Sequence, residues 1–212
     1  MPVDFETLIG KLKTRLTLPL PGAVAHDIMR AEPIGAFRPR FEHKIPPKPG
    51  AVLLLLYPDK GSIKFPLTKR PEYAGTHGGQ ISFPGGKAEA GEISEQTALR
   101  EGEEEIGVDR SQIEVIGKLT DLFVIPSNFM VTPIVAFQKS KSIFKPDPVE
   151  VVKVLEGDLE DLLRNDSIQR KEILAAGIYP LSAPHFLIDN EIVWGATSMM
   201  LNEFRTMLQE II

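Results

Sequence analysis

The sequence predicts a layered α/β or α+β sandwich, and three observations carry that reading. From Gly50 onward, short apolar runs recur between clusters of turn-forming residues, as strands do. One amphipathic helix lies among those runs and another closes the chain. Few helices among many strands leave layer packing as the way to cover both kinds of apolar face.

Taken in order, residues 3–16 read as an amphipathic helix, with Phe5, Leu8, Ile9, Leu12 and Leu16 at helical spacing. "LPLPGAV" breaks it, and 28–50 is a proline-rich stretch without a period, expected to be an irregular connector. Residues 1–49 are therefore set apart as helix plus connector, and 50–212 as the regular domain. "AVLLLLY" (51–57) is a buried strand, "PDKG" a turn, and "SIKFPLT" a returning strand, so the pair is a hairpin. Pro66 demotes part of the second strand to an edge or bulge. A glycine-rich segment (75–86) leads into an acidic helix over about Ile93–Ile106. Strands are expected at 112–119 and 129–138. "EVVKVLEGDLEDLLR" reads as a strand end and a short helix, 168–194 as a strand pair turning at "DNE", and 196–211 as an amphipathic helix.

Composition narrows the function. The 212 residues, 42% hydrophobic, suffice for a core without disulfides or a structural metal. The lack of cysteine excludes thiolate zinc sites and cysteine nucleophiles and fits a reducing compartment. A net charge of -5 argues against a general nucleic-acid binder, though not against a small nucleotide ligand. The longest apolar run is too short to cross a bilayer, and no secretory pattern opens the chain, so a cytoplasmic protein without membrane partners is expected.

The acidic helix carries the chemistry. On a wheel of about 100° per residue, Ala98, Leu99, Gly102 and Ile106 form a core-facing stripe. Glu101, Glu104 and Glu105 share an arc on the opposite side, where like charges three and four residues apart repel by a few tenths of a kcal/mol per pair. That repulsion has no structural return, whereas a divalent cation would turn it into coordination. Carboxylate oxygens are the ligands that Mg²⁺ or Mn²⁺ prefers. Arg100, four residues before Glu104, is placed to orient that carboxylate and leave the other two free. Gly102 costs about 1 kcal/mol relative to Ala in a helix interior, and on the buried face it would admit a close strand backbone. Charge runs are more often solvated faces, but the preceding glycine loop and the split of the two arcs favour a site.

Gly86, Glu92 and the run Arg100-Glu101-Gly102-Glu103-Glu104-Glu105-Ile106-Gly107-Val108 resemble, position for position, the signature of the Nudix hydrolases. Gly102 stands where that family usually has a larger apolar residue. The resemblance implies a Nudix-type α/β/α sandwich with a mixed sheet and a loop–helix–loop motif. It also implies hydrolysis of a nucleoside diphosphate linked to another group, with Glu101 and Glu105 as metal ligands. Glu104 would be a third ligand or the general base, Arg100 would orient a carboxylate, and Glu92 would support the loop. Mg²⁺ or Mn²⁺ would be the cofactor.

Upstream, "LTKRPEYAGTHGGQISFPGG" (67–86) is similar to the extension that precedes the motif in the coenzyme A diphosphatase branch. Pro66 replaces the aliphatic residue usual there. The implied reaction cleaves coenzyme A, or its thioesters, to 3′,5′-ADP and 4′-phosphopantetheine. Arg70, His77, Gln80, Gly85 and Gly86 are then the substrate-binding candidates; for Arg70 a surface salt bridge, and for His77 and Gln80 a loop-fixing role, are the alternatives. Glu150 is a candidate fourth acidic group, and Trp194 reads as core packing. Two other readings stand beside this one: a Nudix hydrolase of ADP-ribose, a dinucleoside polyphosphate or a dNTP, and a nucleotide-binding regulator without catalysis. The N-terminal helix and connector could serve a homodimer.

Overall fold

The computed structural model describes residues 4–35, 41–72, 78–175 and 177–212. Along the chain run α1 (Phe5–Arg15), α2 (Ala23–Ile28), β1 (Glu32–Pro33), β2 (Lys48–Asp59), β3 (Ser62–Lys69), β4 (Ile81–Ser82), β5 (Gly85–Lys87) and α3 (Ser94–Ile106). Then come β6 (Glu114–Lys118), β7 (Leu122–Val124), β8 (Phe129–Phe137), β9 (Lys153–Asp158), α4 (Leu159–Leu163), β10 (Ile168–Ala175), β11 (Tyr179–Ile188), β12 (Glu191–Trp194) and α5 (Ala196–Ile211).

The unbroken apolar run of β2 follows from its position. Val52, Leu54 and Leu56 face one layer, with Leu8 and Leu12 of α1 and Phe204 of α5. Ala51, Leu53 and Leu55 face the other, with Ala98 and Ile106 of α3. A strand covered by helices on both faces has no polar side to alternate with. The architecture is thus an α/β/α sandwich around a mixed sheet.

The main sheet runs β4-β3-β2-β8-β6, with β5 on β2, β7 on β8 and β9 on β3. β2 and β8 are parallel, with Leu53 opposite Ile134, and the other pairings in this sheet are antiparallel. Pro66 fits its place. β3 meets β2 through residues 62–64 and β4 through 68–69, so the stretch around Pro66 is partnered only by β9.

A second sheet, β1-β11-β10 with β12 on β11, is joined to the first by polar contacts at its edge. Lys69 Nζ meets Glu191 Oε1 at 2.7 Å, and Lys153 Nζ meets Asp189 Oδ2 at 2.6 Å. Residues 168–194 hold three strands rather than the expected two. The "DNE" turn is present, with Asp189 and Asn190 at positive φ, but a further reversal separates β10 from β11.

Among the described residues, the stretch after α1 holds more regular structure than its prolines predict. It contains α2, which the periodicity did not reveal because six residues are too few to show a period. Glu203 of α5, fully buried, holds this stretch in place. It accepts from Gly22 N–H (3.0 Å), Thr120 Oγ1 (2.6 Å) and His26 Nε2 (2.8 Å). Burial raises the carboxyl's pKa, but those hydrogen bonds outweigh it and keep the group below its ordinary value.

Leu12 is wholly buried between α5 and the sheet. Leu12→Ala is expected to cost about 2–5 kcal/mol, through lost transfer energy plus an unfilled cavity. Urea titration checks this: the midpoint should fall with an unchanged slope.

Candidate active site

α3 is fixed at both ends by local chemistry. Ile93 N–H donates to Gln96 Oε1 at 3.1 Å at its start. Gly107 ends it in the left-handed region at φ 69°, where glycine carries no Cβ penalty. Between these ends Gly102 lies flat on β2. A Cβ there would stand 2.7 Å from Leu53 Cδ2, so the close approach expected of this glycine is present.

The wheel reading needs one correction. Glu105 is not on the solvent side with Glu104; it is only 2% exposed and turns toward the glycine loop. Gly85 N–H donates to Glu105 Oε2 at 3.2 Å, and Arg70 Nη2 donates to Glu105 Oε1 at 3.3 Å. The same Nη2 donates to Gly85 O at 3.2 Å, so Arg70, Gly85 and Glu105 close on one another. At about 100° per residue Glu105 lies only about 20° from Ala98, at the edge of the core stripe, and these partners hold it there. Burial pushes its pKa up to about 7; the Arg70 charge and the Gly85 N–H pull down, while Glu101 and Glu150 push up. Burial also raises Glu101, against the pull of Arg100.

Arg100 likewise does more than expected. Its Nε and Nη2 clasp Glu92 at 2.8 and 3.0 Å, a two-pronged pairing suited to the planar guanidinium. Its Nη1 bridges Glu101 and Glu104, at 2.9 Å each, rather than orienting Glu104 alone. Its Nη2 also donates to Lys87 O at 3.1 Å, tying the helix to the loop. Glu92 is anchored in turn by Thr97 Oγ1 and by Glu89 N–H, each at 2.9 Å. Hydrogen bonds from Arg100 first, then Glu89, hold the Glu92 carboxyl down at about 2.

The remaining candidates fall as follows. A Cβ on Gly86 would stand 2.5 Å from Glu101 Oε1, so only glycine leaves that carboxylate its room. Gln80 receives Arg70 N–H on its backbone carbonyl at 3.0 Å. Glu104 is exposed and contacts Arg100. Glu150 is exposed on a turn, and its charge reaches both Glu101 and Glu105. Trp194 is half-buried at the end of β12. His77 and Gly75 lie outside the described residues. The fastening of the Glu150 turn was missed. Asp147 N–H donates to Glu105 O (3.0 Å), and Val152 N–H to Lys69 O (2.9 Å). Its one sequence signal was Asp147-Pro148, since Asp147 Oδ1 accepts Val149 N–H at 2.7 Å.

Among the described residues, no three acidic or histidine groups already converge as a cation cage. The donor chemistry nonetheless fits a hard divalent ion. Two desolvated carboxylates, Glu101 and Glu105, are raised by burial and by neighbouring negative charge, and a cation would relieve both effects. Glu101, Glu104 and Glu105 could hold it, with Glu101 and Glu104 exchanging Arg100 Nη1 for the ion.

Comparison with known proteins decides the family. The NUDIX domain matches residues 47–188. This chain belongs to the Nudix family. Nudix hydrolase 22, chloroplastic, of Arabidopsis thaliana is 34% identical over 173 residues, covering 77% of this chain and 56% of the plant protein. The chain therefore spans little more than half of that relative. An uncharacterized Nudix hydrolase NudL of Yersinia pestis is 34% identical over 136 residues, which are 64% of this chain and 67% of NudL. Among solved structures, the Nudix hydrolase RenU of M. smegmatis superposes with a TM-score of 0.55 at 16% identity, covering 79% of this chain and 89% of RenU. That likeness supports the Nudix fold. No helix among the described residues is long and apolar enough to cross a membrane.

The Glu92–Arg100 clasp of this Nudix helix gives a pH test. The folded pKa of Glu92 is depressed, so its contribution is complete above about pH 4.5 and is lost as pH falls toward about 2. Thermal melting across that window should fall more steeply for the native protein than for Glu92→Gln, and the two curves should converge near pH 2.

Proposed function

We propose that this protein is a metal-dependent diphosphatase acting on coenzyme A or its thioesters, giving 3′,5′-ADP and (acyl-)4′-phosphopantetheine. The observation that carries the reading is the closure of Arg70, Gly85 and Glu105. It joins the upstream extension, which resembles the coenzyme A branch, to the carboxylate helix of the Nudix motif.

In this reading Glu101 and Glu105 hold Mg²⁺ or Mn²⁺, and Glu104 is either a third ligand or the group that takes the proton from water. When bound, the cation neutralises diphosphate charge and activates the attacking water. Arg70, half-exposed beside Gly85, presents its remaining donors to a phosphate oxygen in the fork geometry that suits it. Arg100 keeps Glu101 and Glu104 aimed while Glu92 fixes the guanidinium from behind. Water oxygen bonds to phosphorus, the anhydride P–O bond breaks, and the proton passes to a carboxylate. Gln80, Gly85 and Gly86 line the approach to that point. His77 belongs to the same proposal.

A reducing, cytoplasmic setting is part of this reading, and the lack of cysteine fits it. A homodimer would need a surface other than the apolar stripe of α1, since that stripe is buried within the chain.

Product analysis with coenzyme A and Mg²⁺ or Mn²⁺ tests the proposal. Release of 3′,5′-ADP is expected, abolished by a chelator and reduced about 10²–10⁴-fold in Glu105→Gln, on the scale of losing a positioned acid–base or charge-stabilising group. Turnover of ADP-ribose or a dinucleoside polyphosphate with coenzyme A untouched would overturn the substrate assignment. Metal-dependent nucleotide binding without turnover of any of these would point to a regulator.

A further inference from the structure

The turn that carries Glu150 presents two apolar side chains to solvent beside the acidic end of α3. Val149 is 79% exposed and Val152 is 63% exposed. Single exposed valines are ordinary on a protein surface. These two are set apart by how the turn is held. Its first end is bonded to the last turn of α3, through Lys145 N–H to Ile106 O (2.9 Å) and Asp147 N–H to Glu105 O (3.0 Å). Its second end is bonded to β3 through Val152 N–H to Lys69 O (2.9 Å). The anchors therefore fall on Glu105, which closes on Gly85, and on Lys69, the residue before Arg70. Inside the turn, Val151 N–H donates to Asp147 O (2.8 Å), and the Val151 side chain is buried. With Val151 committed to the core, its neighbours cannot rotate inward.

A diphosphate reacting at Glu101, Glu105 and Arg70 must send its attached groups outward past something. The 147–152 turn, bonded to Glu105 O and Lys69 O, borders the site on one side. Glu150 lies on that turn, and its charge acts on Glu101 and Glu105. A second phosphate or a polar sugar would be poorly served by a wall of one carboxylate and two valines. A chain of methylene or amide-methyl character would cover the valines and leave Glu150 facing the cation side.

We propose that Val149 and Val152 form the apolar side of the substrate site and take the non-nucleotide arm of the diphosphate, selecting arms of aliphatic character. This rests on the diphosphatase reading of the site, but not on coenzyme A being the substrate.

The test uses non-hydrolysable α,β-methylene ADP esters with a methyl or an octyl arm, in Mg²⁺, with binding read by calorimetry. For the native protein the octyl ester should bind about tenfold more tightly than the methyl ester, the scale expected for covering a few methylenes. In Val149→Ser/Val152→Ser that preference should shrink to about threefold or less, with methyl-ester binding unchanged. Both positions are exposed, and a melting curve matching the native protein's verifies the fold of the variant. An unaltered octyl preference in the variant, or an equal loss for both esters, overturns the proposal. So does a native protein that binds the two esters alike. Octyl selectivity lost in the variant, from a protein that leaves coenzyme A intact, would overturn the coenzyme A assignment and keep this one. Failure of the native protein to bind either ester would overturn both.

Discussion

The distance between α3 and β2 is the constraint on which the rest of the site depends. Three glycines set it. Gly102 lets the helix settle on Leu53, Gly85 lets the loop backbone cross β2 at Val52, and Gly86 gives the Glu101 carboxylate its room. With the helix that close, Glu105 cannot reach water and must find its partners inside, on the Gly85 amide and Arg70. A buried carboxylate so close to Glu101 is costly unless positive charge is supplied. The chain supplies part of it with two arginines, and in the proposed reading a cation supplies the remainder. Helix packing, loop conformation and the burial of Glu105 are thus linked through one contact distance.

Much of this was legible in the sequence, for identifiable reasons. β2 declared itself because burial on both faces demands an unbroken apolar run, and α5 because sixteen residues are enough for a period to show. The acidic helix could be placed and its likeness to the Nudix signature recognised from spacing alone. What could not be read were features set by partners distant in sequence. A helical wheel knows only the angle of Glu105, not that an amide twenty residues earlier waits for it. The full reach of Arg100 depends on where Lys87 and Glu92 end up after the loop has folded. α2 and the split of 168–194 into three strands escaped because short elements carry too few residues to show a pattern.

The polar groups at the site are also arranged by rank. Glu92 absorbs the strongest part of the Arg100 guanidinium, and its own position is set by Thr97 and Glu89. What Arg100 has left over is a single nitrogen shared by two carboxylates. A shared, partly exposed hydrogen bond is weaker than a two-pronged one, so Glu101 and Glu104 are the groups that can change partner without the loop coming apart. Rigid support for the loop and looser tethers on two carboxylates are therefore drawn from one side chain.

The buried Glu203 has a consequence for how the molecule comes into being. Its donors Gly22 and His26 lie 181 and 177 residues earlier in the chain. During synthesis the early helices therefore emerge long before the carboxylate that fixes them, and the apolar side of α1 lacks the part of its cover that α5 provides until that helix is made. Contacts of such sequence separation slow folding, so the early helices are among the last parts of the molecule to be fixed. Over that interval the unfinished chain carries incompletely covered apolar residues, which favours aggregation over folding.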